Sequence, residues 1–170
     1  MNIFLIGYRC TGKTTVGKAL AQRLQRCFID ADEELTKENN ISIADMVAQH
    51  GWDYFRQRER EVIRRLSNFD NHVIATGGGA ILNPENIRDM KKSGFVVWLT
   101  ASPETIRYRI VKDKITDTQR PALTDKGLLE EIGEMLAIRN PLYETAMDMR
   151  VETDSLDADS ICDAVIKKFK

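Results

Sequence analysis

Two glycines, a lysine and a threonine close to the N-terminus carry the strongest chemical signal in the chain. Gly7-Tyr8-Arg9-Cys10-Thr11-Gly12-Lys13-Thr14 sets its glycines five residues apart and follows the second with Lys-Thr, the spacing of a phosphate-binding loop. The glycines let the backbone bend so that successive N–H groups face phosphate oxygens. A helix beginning at Lys13 adds the positive end of its dipole. Lys13 brings a mobile charge to the β- and γ-phosphates of a nucleotide, and Thr14 offers a hydroxyl to Mg²⁺. Cys10 has no histidine near it in sequence, so it reads as a bystander thiol rather than a nucleophile.

Such a loop works between a buried strand and a helix, and the sequence supplies both. Ile3 to Ile6 is an apolar run suited to a strand covered on both faces. Val16, Leu20 and Leu24 recur every four residues along the helix that follows. Cys27-Phe28-Ile29 is a second short strand, ending in Asp30-Ala31-Asp32. Helical segments fill about 33–68, with Ser42 to Asp45 as an N-cap signal. Val73-Ile74-Ala75 is a third strand and runs into Gly77, Gly78 and Gly79. Three consecutive glycines are costly to order, so tight backbone approach is the better reason for them. Asn83-Pro84 opens another helix, Phe95 to Leu99 forms a fourth strand, and Ser102-Pro103-Glu104 starts the next helix. The polar stretch 112–124 reads as a mobile loop. Helix returns over about 126–146, followed by a last short strand from Met149 to Val151 and a last helix over 157–169. Strands alternating with helices predict an α/β fold on a parallel sheet in one domain. The helical stretch from 33 interrupts that alternation and reads as an insertion covering a site.

Composition removes several classes of function. Twenty-five basic residues nearly cancel twenty-six acidic ones, for a net charge of -1, so there is no overall basic field for nucleic acid and no polybasic run for a membrane. Cys10, Cys27 and Cys162 are an odd, scattered set, neither a disulfide framework nor a zinc site. His50 and His72 are isolated in sequence and read as surface or satisfied core residues. The first apolar run ends at Gly7, too short for a signal peptide or membrane span, and the expected location is the cytoplasm.

Beyond the phosphate loop the chain resembles the shikimate kinase family. Asp30-Ala31-Asp32 resembles its Asp-x-Asp pair, Phe55-Arg56-Gln57-Arg58-Glu59 its Phe-Arg-x-x-Glu segment, and Ala75-Thr76-Gly77-Gly78-Gly79-Ala80 its triple-glycine strand end. Arg120-Pro121 is similar to its lid arginine and Arg139-Asn140-Pro141-Leu142-Tyr143 to its Arg-x-Pro-Leu-Tyr segment. The resemblance implies a three-layer P-loop kinase fold with a central parallel five-stranded sheet, a helical substrate-binding insertion over about 31–62 and a mobile lid over about 111–124. The implied activity is transfer of a phosphoryl group from ATP, with Mg²⁺, to the 3-hydroxyl of shikimate, a small cyclohexene acid. The enzyme implied is a monomer serving aromatic amino-acid synthesis.

Roles follow from that substrate. Arg56 and Arg139 suit its carboxylate, because guanidinium pairs bidentately with planar anions. Asp32 suits the hydroxyls and the proton of the attacking one. Glu59, three residues after Arg56, orients it. Gly77, Gly78 and Gly79 bring backbone N–H groups to substrate oxygens. Gly7, Tyr8, Arg9, Cys10, Thr11, Gly12, Lys13, Thr14 and Thr15 are expected on ATP. Asp30 joins Thr14 on Mg²⁺, in part through water. Arg120 swings in with the lid to offset charge on the transferring phosphoryl group, and Arg109 lies against adenine, with Arg107 competing for that part. Each has a second reading. Asp30 or Asp32 is also suited to cap the following helix, and Arg56 shares its segment with Arg58, Arg60, Arg64 and Arg65 on what reads equally as a solvated face.

Three departures from the family pattern stand out: Cys10 where glycine is frequent, Trp52 where an acidic residue is common, and Arg-Pro-Ala-Leu in the lid segment. The rival functions are another P-loop small-molecule or nucleoside monophosphate kinase and a non-catalytic nucleotide-binding protein of the same fold. The sequence lacks the Asn-Lys-x-Asp segment of a guanine-nucleotide switch.

Overall fold

Residues 1–113 and 127–169 of the chain are described by a computed structural model. The apolar run at the N-terminus becomes β1 (Asn2–Ile6), every residue of it buried. Its side chains alternate between two helical layers, as a strand covered on both faces requires. Phe4 and Ile6 join a core with Leu35, Met46, Phe55 and Ile63, whereas Ile3 and Leu5 join another with Val16, Leu20, Ile161 and Val165. A third, smaller cluster gathers Tyr8, Ile106, Ile110 and Ile132 near the end of the strand.

The remaining strands and α-helices among the described residues are α1 (Lys13–Leu24), β2 (Cys27–Asp30), α2 (Ala31–Asn39), α3 (Ile43–Leu66), β3 (His72–Ala75), α4 (Pro84–Ser93), β4 (Gly94–Thr100), α5 (Pro103–Lys112), α6 (Leu128–Ala146), β5 (Met149–Glu152) and α7 (Ala158–Phe169). All strand pairings are parallel, in the order β2-β3-β1-β4-β5. The chain winds to one side of β1 through β2 and β3, then crosses to the other through β4 and β5. Connections therefore diverge at β1, and in open α/β sheets ligands bind in the crevice beyond the strand ends at that switch point. The phosphate loop leaves β1 there.

Caps set the helix boundaries. Asp30 accepts from Asp32 N at 3.1 Å, so α2 begins two residues earlier than the sequence pattern predicts. Ser42 Oγ accepts from Asp45 N at 3.0 Å and donates to the Asp45 carboxylate at 2.6 Å, which realises the expected N-cap of α3. The helical segments expected over 33–68 are two helices with a left-handed Asn40 between them, and the second carries an unexpected kink at Gly51 (φ 83, ψ 171). Glycine adopts that conformation without the Cβ penalty other residues carry. Among the described residues no helix is long and apolar enough to cross a membrane.

Gly7 leaves the fold little room for change. Its φ is 143, and a Cβ there would lie 2.3 Å from the carbonyl oxygen of Leu99 on β4. Backbone cannot swing aside as a side chain can. Gly7→Ala is expected to cost about 2–3 kcal/mol, a fall of roughly 4–12 °C in Tm for a chain this size. Thermal unfolding followed by circular dichroism measures it.

Candidate active site

The loop after β1 is shaped by three left-handed positions, Gly7 (φ 143), Cys10 (φ 59) and Gly12 (φ 93). Cys10 is the non-glycine member, which explains why glycine is favoured there; the L side chain costs about 1–2 kcal/mol in that conformation. Thr11 braces the turn by donating its hydroxyl to Tyr8 O at 2.8 Å. Lys13 Nζ crosses the loop and donates to the carbonyls of Gly7 and Tyr8, both at 2.8 Å. Gly12 gives α1 no side-chain cap, so its first N–H groups stay available to an anion.

At the foot of α1, Thr14 Oγ1 donates to Asp30 Oδ2 at 2.8 Å. One Asp30 oxygen caps α2, as its second reading expects, and the other meets Thr14. A hydroxyl and a carboxylate side by side are hard oxygen donors of the kind Mg²⁺ takes, with nucleotide phosphates and water completing its shell. The arrangement fits that ion. Among the described residues no group of three or more His, Cys, Asp or Glu is placed to hold a metal by itself.

These residues line a cleft of about 1080 Å³ together with Cys10, Thr11, Gly12, Thr15 and Arg109. Arg109 is fixed in its wall by donating to Cys10 O at 3.2 Å, to Thr153 Oγ1 at 3.0 Å and to Thr153 O at 2.7 Å. Arg107 is exposed and takes no part in the wall.

A second cavity adjoins the first. Arg56 Nη1 donates to Glu59 Oε2 at 2.6 Å, and Glu59 is buried. Burial pushes the Glu59 carboxyl above its usual range, against the opposing pull of the Arg56 charge. The Arg56 guanidinium packs 4.9 Å from the Phe55 ring centre and 5.6 Å from that of Trp52, a cation–π setting that holds it over the cavity. Arg139 enters from α6, its Nη1 3.4 Å from Gly78 O, and the hydroxyl of buried Tyr143 donates to the same carbonyl. Asp32 lines both cavities and forms the boundary between them.

The triple glycine serves this arrangement in a way the sequence does not reveal. None of Gly77, Gly78 and Gly79 has a positive φ, so their freedom of backbone handedness is not what is used. Space is. A Cβ on Gly77 would lie 2.7 Å from both Asp32 Oδ1 and Glu59 Oε1, and one on Gly79 would lie 2.2 Å from Arg56 Nη2. The absent side chains make room for the charged groups themselves.

Some of the expected residues fall elsewhere. Tyr8 and Arg9, expected on the nucleotide, line the second cavity and not the cleft; the left-handed turns at Gly7 and Cys10 set them on the other side of the loop. Arg120 and most of the expected lid lie outside the described residues. Tyr143, Thr153 and Glu131 were not singled out as functional by sequence. Tyr143 closes the Arg-x-Pro-Leu-Tyr segment, which was the available signal; Thr153 and Glu131 carried none.

A parallel sheet with a phosphate loop at its switch point, joined to a cleft and an arginine-lined pocket that share one aspartate, defines a P-loop small-molecule kinase. A model of the shikimate kinase family matches residues 9–170. The shikimate kinase of Syntrophus aciditrophicus is 43% identical over 177 aligned positions, covering 99% of this chain and 91% of that protein. Among solved structures, shikimate kinase from Acinetobacter baumannii in complex with shikimate matches with a TM-score of 0.91 at 33% identity, over 98% of this chain and 91% of that one. Shikimate kinase from Bacteroides thetaiotaomicron matches with a TM-score of 0.90 at 31% identity, over 99% and 97%. The chain belongs to the shikimate kinase family, and its activity is ATP-dependent phosphorylation of shikimate in aromatic amino-acid biosynthesis.

Proposed function

We propose that the chain moves the γ-phosphoryl group of ATP in line onto the 3-hydroxyl of shikimate, with ATP in the larger cleft and the acid in the arginine-lined pocket. The position of Asp32 on the boundary of both cavities carries this reading. Asp32 accepts the hydroxyl's hydrogen bond and takes its proton as the oxygen attacks. Arg56 and Arg139 hold the carboxylate, and Glu59 keeps Arg56 aimed. Lys13 turns from its loop carbonyls to the β- and γ-phosphates. Thr14 and Asp30 hold Mg²⁺, which draws charge from the phosphate oxygens when bound. Arg109 lies along the nucleotide base, and Arg120 stabilises the transferring group. Because the transition state is loose, positioning and charge supply most of the rate. We take the working unit to be a single-domain cytoplasmic monomer. Its net charge of -1 suits small-molecule substrates better than nucleic acid or an anionic membrane.

A coupled ADP-release assay with shikimate, gluconate and nucleoside monophosphates tests the acceptor. Turnover is expected with shikimate and not with the others. Turnover with another acceptor and none with shikimate would overturn the reading.

A further inference from the structure

Arg9 belongs to the phosphate loop by sequence but not by side-chain geometry. The residues from Cys10 to Thr15 line the nucleotide cleft, while Arg9 lines the arginine-rich pocket. Three guanidinium groups therefore converge on that pocket from three elements: Arg9 from the loop after β1, Arg56 from α3 and Arg139 from α6. Arg9 and Arg139 share one aromatic surface, each with its guanidinium carbon 5.7 Å from the centre of the Tyr8 ring.

Arg9 is held there by design of its surroundings. Its Nη2 donates to Glu131 Oε1 at 2.9 Å across 122 residues of sequence, with side-chain exposures of only 12% and 3%. A buried ion pair is a poor source of stability, since desolvation offsets most of its attraction and an apolar pair of equal size would serve as well. What it supplies is a fixed guanidinium. The loop backbone is also pinned, because a Cβ on Gly78 would sit 3.3 Å from Arg9 N. With Nη2 committed to Glu131 and the guanidinium set against the Tyr8 ring, the Arg9 charge is held beside the pocket.

We propose that Arg9 is a substrate-positioning residue whose fixed guanidinium directs its charge at the carboxylate of the acid substrate beside Arg139, and that its side chain does not contribute to nucleotide binding. The inference rests on reading this pocket as the acid site. It also means that the loop gripping the nucleotide on one side grips the acid on the other.

Steady-state kinetics of the whole enzyme and of Arg9→Leu, Arg9→Lys and Glu131→Gln test it, with KM measured separately for shikimate and ATP. Arg9→Leu is expected to raise KM for shikimate about 10- to 100-fold, the range of one lost charge-assisted hydrogen bond, and to move KM for ATP less than about twofold. Arg9→Lys should recover part of the loss, and Glu131→Gln should raise KM for shikimate alone by a smaller factor. With shikimate carboxamide, which carries no charge to read, the Arg9→Leu penalty should nearly vanish. An equal rise in KM for ATP would overturn the proposal, as would a lowered Tm with both KM values unchanged. If the unaltered enzyme fails to turn over shikimate, the reading of the pocket fails and takes this proposal with it. An active enzyme indifferent to Arg9→Leu sinks the proposal alone.

Discussion

Asp32→Asn should lower kcat by about 10²- to 10⁴-fold, the contribution of a positioned general base, while KM for ATP stays nearly unchanged. The substitution is close to isosteric, so the room that Gly77 leaves beside Asp32 Oδ1 remains filled. The cap of α2 does not use the lost charge. Asp30, not Asp32, caps α2, and Asp32 enters that cap through its backbone N–H. Its backbone carbonyl accepts from Thr36 Oγ1 at 2.9 Å, which the asparagine retains. What disappears is the ability to take a proton from the attacking hydroxyl. A hydroxyl can still be oriented by an amide oxygen, so KM for shikimate should rise far less than kcat falls. Initial-rate kinetics with each substrate varied in turn supply the comparison. A loss of kcat below about tenfold would leave Asp32 as an orienting group and not a base.

How much of this was readable beforehand depended on whether a signal was local. The phosphate loop was legible because strand, glycines, lysine and helix are contiguous, and β1 behaved as its apolar run dictated. The N-caps at Ser42, Asn83 and Ser102 were legible for the same reason. The kink at Gly51 was not, since a lone glycine inside a helical pattern does not disclose the sign of its φ. The direction of Tyr8 and Arg9 was hidden likewise, because it follows from the handedness of Gly7 and Cys10. Arg56 shows the limit of composition most clearly. It is one of five arginines on α3, and only the resemblance separated it from the rest. The structure separates it physically. Arg58 pairs with Glu61, Arg60 with Glu85 and Asp89, and Arg65 with Glu38 on exposed or half-buried surfaces, whereas Arg56 pairs with buried Glu59 at the cavity. The reason for the triple glycine was illegible for want of tertiary information, as the groups it accommodates lie about twenty to forty-five residues away in sequence.

That accommodation sets up the other large effect. Gly79→Ala should reduce kcat/KM for shikimate about 10³-fold without touching the nucleotide cleft. The new Cβ would stand 2.2 Å from Arg56 Nη2 and 2.5 Å from both Cζ and Nη1, so the whole guanidinium has to leave. Arg56→Ala removes the same fork, worth about 2–4 kcal/mol as a charged hydrogen-bonding pair; the alanine at 79 adds a displaced side chain in the pocket. Both variants strand Glu59, which is buried and whose partner is Arg56. An uncompensated buried charge costs about 3–5 kcal/mol, or roughly 6–20 °C of Tm in a chain this size. The sign with pH follows. Burial already raises the Glu59 pKa, and losing Arg56 removes the main charge opposing that rise. A carboxyl raised in the folded state favours its protonated form there, so the deficit is smallest below the ordinary glutamate range and grows as pH climbs through the raised value. Adding Glu59→Gln to either variant should therefore restore much of the Tm at neutral pH while leaving kcat/KM depressed. Melting curves from acid to neutral pH, paired with kinetics, read both quantities. A Tm deficit independent of pH and unrelieved by Glu59→Gln would mean that the glycine is there for packing and not to seat Arg56.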